Sequence, residues 1–173
     1  PGIGKAPETL TMLRSLLPTL KKPIVVDADA LNLLSENRDL LVKLPINSIL
    51  TPHPKEFERL TKKWENDYQK LDILREFAKK YKVIVVLKGA YSAVATPDGD
   101  VHFNSTGNPG LSTGGTGDVL TGILTALLAQ GYDPIEAAVL GVFAHGLAGD
   151  RAAEQRGPIG MVATDVLDSL RWD

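Results

Sequence analysis

The sequence contains no cysteine. A disulfide framework, a thiolate zinc site and a cysteine nucleophile are therefore excluded. It also lacks a surplus of positive charge: 19 Lys and Arg stand against 21 Asp and Glu, a net charge of −2. A dedicated nucleic-acid binder carries a basic excess, so no nucleic-acid partner is expected, although a local basic pocket for a phosphate stays open. No apolar run reaches the roughly 18 residues of a membrane span, and no membrane partner is expected. Pro1 to Pro7 hold no apolar stretch of the signal-peptide kind, so the expectation is a cytoplasmic protein. Linker-like, repeated and low-complexity tracts are missing too. Residues 1–173 are read as a single domain with enough chain to bury a core.

What is present is glycine, unevenly spread. Of 16 glycines, Gly107, Gly110, Gly114, Gly115 and Gly117 crowd one short segment, Gly2 and Gly4 open the chain, and a third set runs from Gly141 to Gly160. Around them the hydrophobic pattern alternates between strand and helix. Residues 8–20 read as a helix with Leu10, Leu13, Leu16, Leu17 and Leu20 on one stripe. Ile24-Val25-Val26 is a β-branched, buried strand ending at Asp27. A helix follows through Leu31, Leu34, Leu41 and Leu44, with a break near Asn37. Residues 48–51 form a second strand, 55–61 a short helix and 68–81 a longer one. The clearest strand is 83–87. A hairpin of 92–96 and 101–104 turns on Pro97-Asp98-Gly99-Asp100. Helices are expected over 118–130, from Asp133-Pro134-Ile135-Glu136 onward, and over 164–170. The middle one of these is rich in Ala and Gly, which permits close helix contact and a central place. Apolar strands alternating with helices imply an α/β fold with a mostly parallel sheet covered on both faces and a late antiparallel hairpin. Ligands in such sheets lie beyond the carboxyl ends of the strands, which gathers Asp27-Ala28-Asp29, Thr51-Pro52-His53 and Lys88-Gly89 on one edge.

The strongest chemical feature is Asn108-Pro109-Gly110-Leu111-Ser112-Thr113-Gly114-Gly115-Thr116-Gly117-Asp118, running straight into an apolar helix. Such a loop presents unpaired N–H groups and the positive end of a helix dipole to an anion. A carboxylate beside a polyphosphate is repelled by it, so Asp118 points to work on a second substrate, as acceptor of a proton from an attacking hydroxyl. The competing account is a tight turn with Asp118 as helix cap. Neither G-x-x-x-x-G-K-[ST] nor G-x-G-x-x-G is present in the loop. Lys88, at a strand end beside Gly89, suits a nucleotide phosphate or snorkels at the surface. Asp27, Asp29 and Asn32 read first as helix caps. His53, between two prolines, reads as a ligand contact or a solvated loop residue. Glu56 and Arg59 read as an i, i+3 surface ion pair. His145 reads as a satisfied core histidine, and His102 as inert on an exposed hairpin.

Taken together, Thr51-Pro52-His53-Pro54-Lys55-Glu56-Phe57, Lys88-Gly89-Ala90, the Asn108 to Asp118 loop, Asp27-Ala28-Asp29-Ala30-Leu31-Asn32 and Pro1-Gly2-Ile3-Gly4 resemble the NAD(P)H-hydrate dehydratase family of the ribokinase-like superfamily. The resemblance covers essentially the whole chain, in order and spacing. It implies a three-layer α/β/α sandwich and the repair of hydrated NADH or NADPH, the S epimer, driven by ADP or ATP through a phosphorylated intermediate. By the same resemblance Asp118 is the base, and Gly114 to Gly117 stabilise the transferring phosphoryl group. Lys88, Gly89, Ala90, Tyr91 and Ser92, with Asn108, Pro109, Gly110, Leu111, Ser112, Thr113, Gly114, Gly115, Thr116 and Gly117, hold the nucleotide. Gly2, Gly4, His53, Pro54, Lys55, Glu56, Phe57, Glu58, Arg59 and Asp118 contact the hydrated dinucleotide. Magnesium is expected on the phosphates, largely water-bound and with no protein metal ligands. A homo-oligomer, tetrameric by family analogy, and a fused N-terminal epimerase domain are further implications. Family members carry more sequence before the Pro-Gly-x-Gly motif, so the chain reads as an N-terminally truncated domain, inactive or weakly active, with part of a sheet edge or face uncovered. Two alternatives stay open: a small-molecule kinase of the same superfamily, acting on a sugar, hydroxymethylpyrimidine or hydroxyethylthiazole, and a nucleotide-binding module without catalysis.

Overall fold

The computed structural model describes residues 1–172. Five short strands form one sheet in the order β1-β2-β3-β4-β5. β1 (Val25–Val26), β2 (Ile49–Leu50) and β3 (Ile84–Leu87) run parallel. β4 (Ala93–Ala95) returns antiparallel to β3, and β5 (Val101–Phe103) antiparallel to β4. Side chains alternate across the pleat, so each strand feeds two cores. Val26, Leu50, Val85 and Leu87 point to one helical layer, and Ile49, Ile84, Val86 and Val94 to the other.

The first layer holds α2 (Asp29–Glu36), α3 (Pro54–Leu60) and α4 (Asp67–Tyr81), which bury Leu31, Leu34, Phe57, Leu60, Leu74 and Phe77. α1 (Pro7–Leu16) joins this side through Leu10 and the following Leu17. The second layer is α5 (Thr116–Ala129) and α6 (Pro134–Arg156), with Leu120, Leu124, Ala138 and Val142 against the sheet. α7 (Ala163–Asp168) packs at its outer side through Val166. The result is the three-layer α/β/α arrangement with a mostly parallel sheet. No helix among the described residues is long and apolar enough to cross a membrane.

Most departures from the expected elements are local. The first helix stops at Leu16, and 17–19 tighten into a 3₁₀ turn around Pro18, which lacks an N–H to continue the ladder. The expected break at Asn37 is present, but 38–43 is 3₁₀ rather than α. β1 and β2 keep only two ladder residues each. α5 starts at Thr116, two residues before Asp118. The Asp133 cap forms as expected, its carboxylate accepting from the Ile135 and Glu136 N–H groups. The small residues of α6 do permit close approach: a Cβ on Gly141 would stand 2.7 Å from Leu124 Cδ2, and one on Gly149 2.6 Å from Leu111 Cδ2. β1 and β5 are the sheet edges, and β1 pairs with β2 alone among the described residues.

Candidate active site

The three parallel strands end on one rim. Thr51 N–H donates to Val26 O at 3.1 Å and Lys88 N–H to Pro52 O at 2.9 Å, which stacks the segments after β1, β2 and β3 side by side. The glycine loop closes over that rim. Its entry is held by Asp150 of α6, whose carboxylate accepts from Gly107 N–H at 2.9 Å and from Asn108 Nδ2 at 3.0 Å. Asn108 Oδ1 accepts from Gly110 N–H at 2.9 Å and starts a 3₁₀ turn over Pro109–Ser112. Thr116 Oγ1 donates back to Leu111 O at 2.6 Å and pins the loop's end.

Gly115 is the N-cap of α5, with φ +91, a left-handed conformation that glycine adopts without strain. No backbone carbonyl among the described residues receives the N–H groups of Gly114, Gly115 and Gly117. Beside them stands Lys88, its Nζ 3.0 Å from Asp27 Oδ1. A Cβ on Gly117 would lie 3.6 Å from that Nζ. Free N–H groups, a helix N-terminus and an ammonium thus converge, a strong anion cradle. His145 of α6 underpins it: its Nε2 donates to Thr116 O at 2.9 Å. Burial holds the His145 imidazole below its ordinary pKa; the Thr116 hydrogen bond opposes this, and the nearby Lys88 charge adds to it. The ring is therefore neutral at pH 7, with Nε2 carrying the proton.

The cradle opens into a cavity of about 630 Å³, a volume suited to a small molecule. Of the residues predicted from the sequence, His53, Pro54, Lys88, Gly89, Ala90, Ser92, Asn108, Pro109, Leu111, Ser112, Thr113, Thr116 and Gly117 line it. Gly114, Gly115, Asp118 and Tyr91 lie outside the lining and are exposed around the loop and strand end. Gly110 is buried, with Met161 and Pro158 occupying the space where its side chain would be. Gly2 and Gly4 are exposed and do not line the cavity; Gly4 N–H donates to Asp29 Oδ2 of α2 at 3.0 Å. Lys55, Glu58 and Arg59 line a separate, shallow basic depression with Lys62 and Lys63.

Several readings need correction. Asp118 is not the helix cap; it stands exposed in the first turn, and Gly115 is the cap. Asp27, Asp29 and Asn32 do not cap α2, whose N-cap is Ala28 and which has no side-chain cap. Instead Asp27 pairs with Lys88, Asp29 takes the Gly4 N–H, and Asn32 Oδ1 accepts from Arg59. Lys88 is not a snorkelling surface lysine, because its head is paired inside the fold. Glu56 and Arg59 form no ion pair: Glu56 is buried and accepts from His53 N–H at 2.8 Å. His53 is neither free nor merely solvated. Its Nδ1 accepts from Lys55 and Glu56 N–H, completing a capping box for α3 and leaving Nε2 as the nitrogen that carries a hydrogen. Phe57 is 0% exposed and packs edge-on against Phe77, so it reaches no ligand and acts only by anchoring α3.

Asp150 and Thr121 were missed. Asp150's only sequence signal was a carboxylate within an Ala- and Gly-rich helix. Thr121, whose Oγ1 lies 3.3 Å from Asp27 Oδ2, gave none. Among the described residues no three His, Asp or Glu side chains converge as a metal cage.

The sequence profile described as NAD(P)H-hydrate dehydratase matches residues 1–171. A bifunctional NAD(P)H-hydrate repair enzyme of Moorella thermoacetica is 45% identical over 174 residues, covering 99% of this chain and 33% of that protein. An ADP-dependent (S)-NAD(P)H-hydrate dehydratase of Neisseria meningitidis is 39% identical over 177 residues, covering 99% and 60%. Among solved structures, an ADP/ATP-dependent NAD(P)H-hydrate dehydratase from Bacillus subtilis, co-crystallised with ATP and Mg²⁺, superposes with TM-score 0.81 at 32% identity, covering 98% and 60%. A hydroxyethylthiazole kinase from Pyrococcus horikoshii, at 19% identity and TM-score 0.69, shares the fold. The chain thus spans about a third of the bifunctional relatives and three fifths of the shorter ones.

Proposed function

The chain belongs to the NAD(P)H-hydrate dehydratase family, and from that premise we propose that it carries the nucleotide-dependent dehydration of the S epimer of hydrated NADH or NADPH. The observation that carries this reading is that Lys88 and Gly117, at the α5 N-terminus, line one cavity, beside a loop whose Gly114, Gly115 and Gly117 N–H groups meet no backbone carbonyl, with an exposed carboxylate, Asp118, in the same helical turn. An anion site alone would fit any phosphate. A carboxylate placed beside it fits a hydroxyl that must lose its proton while it attacks a phosphoryl group.

In this reading ADP or ATP lies along Lys88 to Ser92 and Asn108 to Gly117, its terminal phosphates on the N–H groups of Gly114 to Gly117. Magnesium, when bound, offsets charge on those phosphates. The hydrated nicotinamide approaches past His53, which lines the cavity with its Nε2 3.6 Å from Glu56 Oε2, while the remainder of the dinucleotide runs toward Gly2, Gly4 and the basic face of Lys55, Glu58 and Arg59. Asp118 accepts the proton of the ring hydroxyl as its oxygen bonds to the terminal phosphorus and the nucleotide leaves. The ring nitrogen's lone pair then expels the phosphate, and loss of a proton from the neighbouring ring carbon restores the double bond. The N–H cradle stabilises charge on the transferring group throughout. A homo-oligomer, a cytoplasmic location and a fused epimerase partner domain belong to the same reading, the last supported by the bifunctional relatives.

The test supplies the intact protein with hydrated NADH and either ADP or ATP and follows absorbance at 340 nm. Recovery of NADH with stoichiometric phosphate release is expected. No recovery, with phosphate transferred instead to a sugar or vitamin precursor, would replace the dehydratase with a kinase.

A further inference from the structure

We propose that Asp27 is a positioning residue: it tethers the Lys88 ammonium beside the first turn of α5, aimed at the phosphate of the bound nucleotide. The proposal rests on the nucleotide reading of the cavity given above.

Asp27 is 2% exposed, and nothing in the proposed chemistry uses it. A buried carboxylate is retained only where partners compensate its desolvation. Its partners come from two other elements: Lys88 Nζ from the end of β3 at 3.0 Å, and Thr121 Oγ1 from α5 at 3.3 Å. Asp27 therefore ties the end of β1 to Lys88 and to α5, the helix whose first turn forms the cradle. The Lys88 side chain keeps 25% of its surface open, and its head lines the cavity. An ammonium has three donors. Asp27 takes one and fixes the direction of the others, where an untethered lysine stem would have to be ordered on binding.

The backbone turns sharply beside Asp27. Ala28 has φ +48 and ψ −116, in the left-handed region that alanine avoids. That turn sends the two carboxylates that flank Ala28 apart, Asp27 inward to Lys88 and Asp29 outward to the Gly4 N–H.

The sign of the effect on binding separates this role from a general one. Asp27 is a negative charge beside an anion site, so by Coulomb's law alone its removal should tighten phosphate binding. A tether predicts the reverse. The experiment titrates ADP and, separately, adenosine into the intact protein, into Asp27→Ala and into Asp27→Asn, and adds Lys88→Met with and without the Asp27 changes. ADP affinity is expected to fall about tenfold or more in Asp27→Ala, and less in Asp27→Asn, since a neutral acceptor holds an ammonium less firmly. Adenosine affinity is expected to stay unchanged. In the Lys88→Met background neither Asp27 change should weaken ADP further. Unchanged or tighter ADP binding overturns the proposal, as does a parallel loss for adenosine or a multiplying loss in the double variants. If Asp27→Ala does not fold, Asp27→Asn decides by the same criteria. An unmodified protein that binds no ADP would bring down the nucleotide reading itself, and the tether with it.

Discussion

Substituting Gly117 by alanine should stabilise the protein and damage its site at once. Gly117 is the second residue of α5 and does not have a positive φ, so alanine meets no backbone penalty there. Its Cβ would stand 3.6 Å from Lys88 Nζ and 3.7 Å from Asp27 Oδ2, ordinary van der Waals distances that require no movement. Replacing a helical glycine by alanine is worth roughly 0.5–1 kcal/mol, which in a chain of this size raises Tm by about 1–4 °C. The same methyl fills the gap between the Lys88 ammonium and the loop. A phosphate oxygen bonded to both the Gly117 N–H and that ammonium needs about 3 Å to each, and the methyl occupies the space it would use. ADP affinity should therefore fall at least about tenfold, or about 1.4 kcal/mol, while adenosine affinity holds. Thermal melting followed by calorimetric titration with both ligands reads the two effects. A lowered Tm would show that the Gly117 environment is not the one described. A raised Tm with unchanged ADP affinity would remove the phosphates from this cradle.

Asp118→Ala should bind ADP normally yet lose turnover by about 10²–10⁴, the range for removal of a general base; turnover within a few-fold of the parent in the absorbance assay would end the base assignment. Ala28→Gly releases a strained φ of +48. Strain of this kind costs about 1–3 kcal/mol, against an entropic cost of about 0.5–1 kcal/mol for glycine, so urea unfolding should show a net gain near 1 kcal/mol; a loss would mean the turn is unstrained. His145 has a depressed pKa in the fold, from burial first and the Lys88 charge besides. The unfolded chain takes up its proton near pH 6.5 where the native protein still refuses it, so stability falls as pH drops below about 6.5. In His145→Gln, which keeps a donor for Thr116 O, this slope in the urea midpoint between pH 7.5 and 5.5 should flatten; an unchanged slope would assign it to other groups.

How much of this was legible in the sequence follows the range of the interactions. Each local rule worked where its cause was local. The Asp133-Pro134-Ile135-Glu136 start, the hairpin at Gly99 and the all-apolar run of β3 were each read within a few residues of their final bounds. Covering the sheet on both faces followed from apolar strands with no polar alternation. The 3₁₀ stretches at 17–19 and 38–43 were not legible, because they arise where packing rather than periodicity decides the last turn.

The site divides along the same line, and the division says what kind of residue to search for. Gly115, Thr116 and Asp118 lie within one loop-to-helix junction, so adjacency alone disclosed an anion cradle with a carboxylate beside it. The supports of that cradle are distant in sequence: Asp27 lies 61 residues from Lys88 and 94 from Thr121, and Asp150 lies 43 from Gly107. Each is a carboxylate bonded to the loop or to its lysine, and each looked like a helix cap or an ordinary helical charge in the sequence. His53 and Glu56 repeat the lesson inside α3, where a motif that reads as substrate contact is also a capping box that fixes the helix start. The residues proposed to touch ligand and those proposed to aim them therefore differ in sequence signature. The first cluster in motifs, and the second surface only when the fold brings a buried charge to its partner.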